Sequence, residues 1–325
     1  MIHIAICAGG FSSEYDVSVN SAKQVKKALE GSKYAPWVVE ISRKGWVVEL
    51  DGAKTLPVDK NDFSFFDGGQ KIKFHAAFMA IHGTPGEDGK LQSYFDLIGL
   101  PHTTCNSFVA QLTFNKKISK MMLRPFEIAM AKEVLVRSNE KPDPREILDV
   151  VGLPCFVKPN NSGSSFGVTK VLTEEDLEVA LETGYKEDKE LLIEEFIEGT
   201  EVTCGVYKSG DKKILFPVTE IVSKTGFFDY EAKYTPGMSD EITPARISEE
   251  DTKVCQELAS KIYDIFNCDG IVRVDFILKN GTFYFLEINT VPGMSENSII
   301  PKQIHAAGYS VSEIYSMVLD NVLNF

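Results

Sequence analysis

The chain has 325 residues, enough for two or three domains, and 43% hydrophobic with 25% charged residues is the balance of a folded soluble protein, not a disordered or membranous one. A net charge of -13 argues against a nucleic-acid surface, which needs a basic footprint, so any anion must be bound by a local basic site. The six cysteines are scattered singly without C-x-x-C spacing, which suggests neither zinc nor a disulfide framework.

The first residues, Met1-Ile-His-Ile-Ala-Ile-Cys-Ala-Gly9-Gly10, lack a basic n-region and run into a glycine turn. They read as a first strand, with no signal peptide, no run long enough to span a membrane and a cytoplasmic location expected. A helix follows with Ala22, Val25 and Leu29 on one face. Strands are expected at 37–41 and 76–81, then a helix carrying Leu91, Phe95 and Ile98 that Gly99 and Pro101 stop. Alternating strands and helices predict a parallel sheet over residues 1–103, with 45–74 inserted as a hairpin of uncertain role.

A second unit, 104–190, is predicted to hold one helix over 107–122, strands at 154–158 and 168–172, and a helix opened by the capping pattern Thr173-Glu-Glu-Asp176. The third, 191–325, begins with the strand Leu191-Leu-Ile-Glu194 and ends in a helix whose capping box is Ser310-Val-Ser-Glu313, with Ile314, Met317 and Val318 turned inward.

The most informative stretches are Ile271-Val-Arg-Val-Asp-Phe-Ile-Leu278 and Phe283-Tyr-Phe-Leu-Glu-Ile-Asn289, apolar runs that enclose Arg273, Asp275, Glu287 and Asn289. Alternate residues of a strand share a face. An antiparallel hairpin with Asp275 opposite Glu287, closed by the three-residue loop Asn280-Gly281-Thr282, gathers all four polar groups on one face. Buried charge needs a partner. Two carboxylates and an amide oxygen suit Mg²⁺ held together with phosphates, and Arg273 suits a phosphoryl oxygen; a purely structural cluster is the alternative.

Other segments are weaker signals alone. Lys158-Pro-Asn-Asn-Ser-Gly-Ser-Ser-Phe-Gly167 is either a hairpin turn or a loop whose backbone N–H groups and the Ser164 and Ser165 hydroxyls approach a polyphosphate, with Lys158 as a point charge. It matches neither the Walker pattern nor G-x-G-x-x-G, which weakens a dehydrogenase reading. The acidic run 194–201 is either a solvated turn or a purine site using backbone near Glu195 and Ile197 with Glu201 on the ribose. His82, at the end of a strand, is an orienter, an acid/base group or a turn residue, and Glu14 after the first strand suits an ammonium group. The polar, aromatic segment 226–237 suits a loop closing over a site through Lys233 and Tyr234. Gly293 can present its N–H to an oxyanion, or simply make a Pro-Gly turn.

Taken in order, Gly9-Gly10-Phe-Ser-Ser-Glu14, Ile81-His-Gly83 with Gly86-Glu-Asp-Gly89, Val157-Lys-Pro159, Gly163-Ser-Ser-Phe-Gly167, Asp229-Tyr-Glu-Ala-Lys-Tyr234, Arg273-Val-Asp275 and Leu286-Glu-Ile-Asn289 with Pro292-Gly-Met294 resemble the D-alanine:D-alanine ligase family of the ATP-grasp fold over nearly the whole chain. The resemblance implies an N-terminal α/β parallel-sheet domain followed by an α+β ATP-grasp part. It implies an ADP-forming ligase that joins two D-alanine molecules for peptidoglycan precursor synthesis, acting as a homodimer. Lys116 (or its neighbour Lys117), Lys158 and Ser164 would meet the phosphates, Glu194, Glu195 and Ile197 the adenine, Glu201 the ribose, and Lys233 the nucleotide. Asp275, Glu287 and Asn289 would hold two Mg²⁺ ions, with Mn²⁺ as a substitute. Glu14 and His82 would place the first D-alanine, Ser165 and Tyr234 would border it, and Ser298 with Ile299 would receive the second. Arg273 and Gly293 would hold the oxyanion. Tyr234 implies D-alanine rather than a hydroxy acid as second substrate; the D-lactate and D-serine ligases of the same fold are the alternative, and a nucleotide binder without turnover is the alternative outside it.

Overall fold

The computed structural model describes residues 1–50, 54–223 and 239–324. In the first region β1 (Ile2–Gly9) is followed by α1 (Tyr15–Leu29), β2 (Tyr34–Ser42), β3 (Gly45–Glu49), β4 (Thr55–Pro57), β5 (Ser64–Asp67), β6 (Gln70–Lys73), β7 (Ala76–Met79) and α2 (Lys90–Ile98). β1 runs parallel to both β2 and β7, as expected, while β3 and β4 extend the same sheet antiparallel at its edge in the order β4-β3-β2-β1-β7. Alternation along β1 sends Ile4, Ile6 and Ala8 to one face and Ala5 and Cys7 to the other. The first set packs on Ala22, Val25 and Leu29 of α1. The second packs on Phe63, Phe65 and Phe95. The insertion over 45–74 therefore has a definite role: it lengthens the sheet and closes one of its faces with aromatic rings.

The second region holds α3 (Ser107–Phe114), α4 (Lys116–Leu123), β8 (Glu133–Arg137), α5 (Pro144–Val151), β9 (Cys155–Pro159), β10 (Thr169–Val171), α6 (Asp176–Gly184) and β11 (Glu190–Glu195). Two expectations are corrected here. The single helix over 107–122 is broken at Asn115, whose backbone (φ -87°, ψ 105°) leaves the helical region and whose side chain accepts from the Ile118 N–H as the cap of α4. The strand at which the third unit was expected to start, β11, hydrogen-bonds antiparallel to β8 and β9 and so lies in the four-stranded sheet of the second region.

The third region comprises β12 (Thr200–Ser209), β13 (Lys212–Leu215), β14 (Thr219–Ser223), β15 (Ser239–Ile242), α7 (Glu249–Phe266), β16 (Ile271–Lys279), β17 (Thr282–Asn289), α8 (Ile299–Ala306) and α9 (Val311–Val322). Its antiparallel sheet runs β15-β14-β12-β16-β17, with β13 also on β12. α7 covers one face through Cys255, Ala259, Ile262 and Phe266, joined by Val109 of α3 and Leu123 of α4. The last helix carries the predicted capping box, Ser310 and Glu313 bonding reciprocally. Ile314 and Val318 are buried and Met317 packs beside them, against the N-terminal sheet, so the end of the chain closes onto its beginning. All six cysteines are free and buried.

Candidate active site

β16 and β17 set the centre of the site. Arg273 lies opposite Asn289 and Asp275 opposite Glu287, the pairing expected from strand parity. The turn differs. Lys279 pairs with Thr282, leaving a two-residue Asn280-Gly281 turn in which both residues have positive φ (50° and 76°). The residue thereby gained is absorbed next to the site: Phe276 pairs with Phe285, so Leu286 is left over as a bulge before Glu287. Arg273, Asp275, Ile277, Leu286 and Glu287 all line one cavity of about 510 Å³. Arg273 donates through Nε (2.9 Å) and an amino group (2.8 Å) to the two oxygens of Asp275, which also accepts from Asn289 Nδ2 at 3.0 Å and from the Thr203 hydroxyl. Burial alone would lower the Arg273 pKa, but Asp275 more than offsets it and holds the guanidinium firmly charged.

β9, β11 and the segment after it also line this cavity, through Lys158, Glu194, Glu195 and Ile197, while Glu201 lines it from β12, opposite Ile277 of β16. Glu194 is buried between two ammonium groups, Lys120 on Oε1 and Lys158 on Oε2. Burial pushes its carboxyl up, yet the two lysines overcome this and bring its pKa down to about 2. For Lys158 burial works against the charge, and Glu194 raises it above the ordinary lysine value. The break at Asn115 puts Lys116 at the start of α4, where its ammonium lines the cavity 3.3 Å from Glu287 and donates to the Ser162 carbonyl. Lys117 points elsewhere, pairing with Glu133 at 3.0 Å. The two asparagines before the glycine loop join it to the helix break. Asn160 accepts from the Lys117 N–H (2.9 Å) and donates to Glu190 (3.0 Å), while Asn161 accepts from Asn115 (2.9 Å) and donates to Asp188 (2.8 Å), tying loop and helix break together.

A second cavity, of about 790 Å³, opens on the other side of the glycine loop and is lined by Glu14, Gly83 and Phe11; Ser162, Gly163 and Phe166 border both cavities. Glu14 is buried just before α1. Its carboxylate is held between two glycines: a Cβ on Gly163 would stand 2.7 Å from Oε2, and one on Gly83 3.0 Å from it. Ser164, rather than Ser165, donates to Glu14, and Ser165 faces the first cavity. Both serines adopt positive φ (48° and 59°), a backbone state that residues with a side chain seldom take.

His82 is buried with both ring nitrogens engaged, Nδ1 at 2.9 Å from the Val291 carbonyl and Nε2 at 3.0 Å from Ser21 Oγ. The carbonyl only accepts, so Nδ1 carries the proton and Nε2 accepts from Ser21. Burial lowers its pKa, which keeps the ring neutral. Of the roles open to it, this geometry favours that of an orienter. Gly293 and Ser298 adjoin: a Cβ on Gly293 would meet Ser298 Oγ at 2.8 Å, and that hydroxyl bonds Ser295 at 2.7 Å before α8 begins. Lys233 and Tyr234 lie outside the described residues.

Two residues were not singled out from the sequence. Lys120 reads as an ordinary helix lysine, and only its i+4 spacing from Lys116 places it on the same side. Glu87, inside the quoted Gly86-Glu-Asp-Gly89 run, is buried and accepts from the Gly83 N–H at 2.7 Å. Burial and then the negative charge of Glu14 push its pKa up to about 8. A small cavity of about 20 Å³, lined by Glu87, Lys116, Gly163, Glu287 and Asn289, lies where the two larger ones approach each other.

Asp275, Glu287 and Asn289 offer hard oxygen ligands at this junction. Among the described residues no group of three or more His, Cys, Asp or Glu side chains forms a complete metal cage. Such a donor set fits a cation that takes its remaining oxygens from phosphates and water, as Mg²⁺ does.

Comparison with known proteins identifies the family. Residues 3–105 match the family described as D-ala D-ala ligase N-terminus, and residues 122–320 the one described as D-ala D-ala ligase C-terminus. A D-alanine–D-alanine ligase of Phocaeicola vulgatus is 47% identical over 320 residues, covering 98% of both chains. Among solved structures, the VanG D-Ala:D-Ser ligase from Enterococcus faecalis superposes with a TM-score of 0.87 at 33% identity, covering 99% of each chain. The D-alanine–D-alanine ligase from Bacillus anthracis complexed with ATP superposes with a TM-score of 0.80 at 26% identity, covering 100% of this chain and 98% of that one. The chain belongs to the D-alanine–D-alanine ligase family and has its ATP-grasp fold.

Proposed function

We propose that this protein joins two D-alanine molecules into D-alanyl-D-alanine, a peptidoglycan precursor, converting ATP to ADP and phosphate. One observation carries the reading: a cavity that sets Lys116, Lys158 and Arg273 beside the carboxylates of Asp275 and Glu287, and a second one bordered by the buried Glu14, approach each other at Lys116, Glu87, Glu287 and Asn289. Phosphates suit the first, an amino acid's ammonium group suits the second, and the reacting carboxyl belongs between them.

In this reading adenine lies against Glu195 and Ile197, the ribose meets Glu201, and Lys116, Lys158 and Ser165 face the phosphates. Glu14, oriented by Ser164, holds the first ammonium group, while His82 ties together the Val291 carbonyl and the Ser21 hydroxyl. The carboxylate of the first D-alanine attacks the γ-phosphorus, and the bond to the ADP oxygen breaks. The amine of the second D-alanine, placed near Ser298, then attacks the acyl carbon. Arg273 and the Gly293 N–H stabilise the oxyanion, which collapses to the amide as phosphate leaves with the acyl C–O bond and the amine loses its proton. A free carboxylate is a poor electrophile, and phosphorylation supplies the leaving group. Mg²⁺, proposed as two ions with Mn²⁺ as a substitute and held by Asp275, Glu287 and Asn289, would supply positive charge to the phosphates. Lys233 and Tyr234 are proposed to close over the nucleotide and the first amino acid. A homodimer is also proposed.

The test is phosphate release by purified protein given ATP, Mg²⁺ and D-alanine, with D-serine and D-lactate as competing second substrates. D-alanine-dependent phosphate and D-alanyl-D-alanine as main product are expected. Release that ignores D-alanine would overturn the reading, and D-alanyl-D-serine as main product would move it to the alternative second substrate.

A further inference from the structure

The first cavity contains an arrangement that the proposed chemistry does not itself require. Lys120 is fully buried on α4 and is not among the lining residues of the cavity, so its ammonium is out of reach of a nucleotide there. Its partner is Glu194, which presents one oxygen to Lys120 and the other to Lys158. Only Lys158 of the two lysines lines the cavity. We propose that Lys120 is a positioning residue for nucleotide binding: by satisfying Glu194 from behind, it releases the Lys158 charge for the phosphates.

Charge balance around Glu194 gives Lys120 this role. A lone buried Lys158–Glu194 pair would be neutral, and a phosphate would have to compete with a full carboxylate for the ammonium. Removing one member of a buried ion pair is costly because the other is left uncompensated. Without Lys120, turning Lys158 toward phosphate would create that situation at Glu194. With Lys120 in place the three groups sum to one positive charge, Glu194 keeps a cation whether or not Lys158 moves, and the surplus charge is on the side facing the cavity. The wider surroundings support this division. Glu133, which pairs with Glu194 across β8 and β11, has its own cations in Lys117 and Arg124 and makes no claim on Lys120.

The inference rests on the reading of the first cavity as a nucleotide site, and a double-mutant cycle separates the two. A non-hydrolysable ATP analogue is titrated with Mg²⁺ into wild type, Lys120→Met, Glu194→Gln and the double variant, and KM values for ATP and D-alanine are measured on each. Failure of the wild type to bind the analogue overturns the nucleotide reading itself. With binding established, Lys120→Met is expected to weaken the analogue and raise KM for ATP by about tenfold or more, with KM for D-alanine nearly unchanged. In the Glu194→Gln background the same substitution is expected to change analogue affinity by less than about twofold, since no carboxylate remains to be satisfied. A loss of equal size in both backgrounds, or none in either, overturns the proposal. Should Lys120→Met alone fail to fold, Lys120→Gln takes its place in the cycle: a loss confined to the Glu194 background supports the proposal, and an equal loss, or none, in both backgrounds overturns it.

Discussion

Two buried glutamates, one in the first cavity and one at the junction of the two, are in opposite states. Glu194, at the proposed nucleotide end, is gripped by two ammonium groups and stays ionised down to about pH 2. Glu87, at the junction, has a backbone N–H and the negative Glu14 for company, and its pKa rises to about 8. Among the described residues neither Glu87 nor Glu14 forms an ion pair with a cationic side chain. Lys116, Lys158 and Arg273 stand among a larger number of carboxylates in the first cavity, so phosphate there calls for divalent cations as well, whereas the second cavity offers the buried Glu14 to an ammonium group.

The sharpest way to break this contrast is at the junction. Glu287→Gln removes one ligand charge beside Lys116, and kcat measured by phosphate release is expected to fall by about 10³-fold. Unchanged turnover would mean that the junction is not where phosphoryl transfer occurs. Next comes Glu87. Its folded pKa lies above the unfolded value near 4.5, so the folded state binds the extra proton and its stabilising effect is lost as pH rises from about 4.5 to about 8. Glu87→Gln keeps a neutral side chain at every pH. It is therefore expected to gain stability over wild type through that window, on the order of 5 kcal/mol by pH 8.5 in denaturant titrations. A pH-independent difference would show that Glu87 is ionised in the folded protein.

Gly163→Ala probes the amino-acid end sterically, since its Cβ would stand 2.7 Å from a Glu14 oxygen. KM for D-alanine is expected to rise about tenfold, with KM for ATP less affected. The smallest effect is expected for Asn115→Ala, which deletes the cap of α4 and should cost about 1 kcal/mol in unfolding experiments. A cost near zero would mean that the break between α3 and α4 is set by packing alone.

How far the sequence foretold these features depended on whether periodicity carried them. The grouping of Arg273, Asp275, Glu287 and Asn289 was legible because charges at alternate positions of apolar runs leave few other arrangements. The bulge at Leu286 was not, since an extra residue inside Phe-Tyr-Phe-Leu changes neither composition nor polarity. Nor was the break at Asn115, which has neither Gly nor Pro beside it and continues the helical pattern on both sides. Which of Ser164 and Ser165 reaches Glu14 was not legible either, since adjacent identical residues carry no signal of it. Lys120 and Glu87 were hidden for a simpler reason: charged residues in a helix or a glycine-rich turn ordinarily face water. Burial, which pattern alone does not report at isolated positions, is what makes them functional candidates.

The leftover residue in β17 has a further consequence. Between the turn and Phe285 the ladder counts one way, and beyond Leu286 it counts another, so the hairpin contains two frames joined at a single position. Lengthening or shortening the exposed Asn280-Gly281 tip would disturb only the outer frame if the irregularity can take up the slack. Deleting Leu286 itself would leave the inner ladder to choose between its partners across the sheet and its side-chain orientation toward the cleft. The tip is open to engineering, and the residue three positions before Asn289 is not.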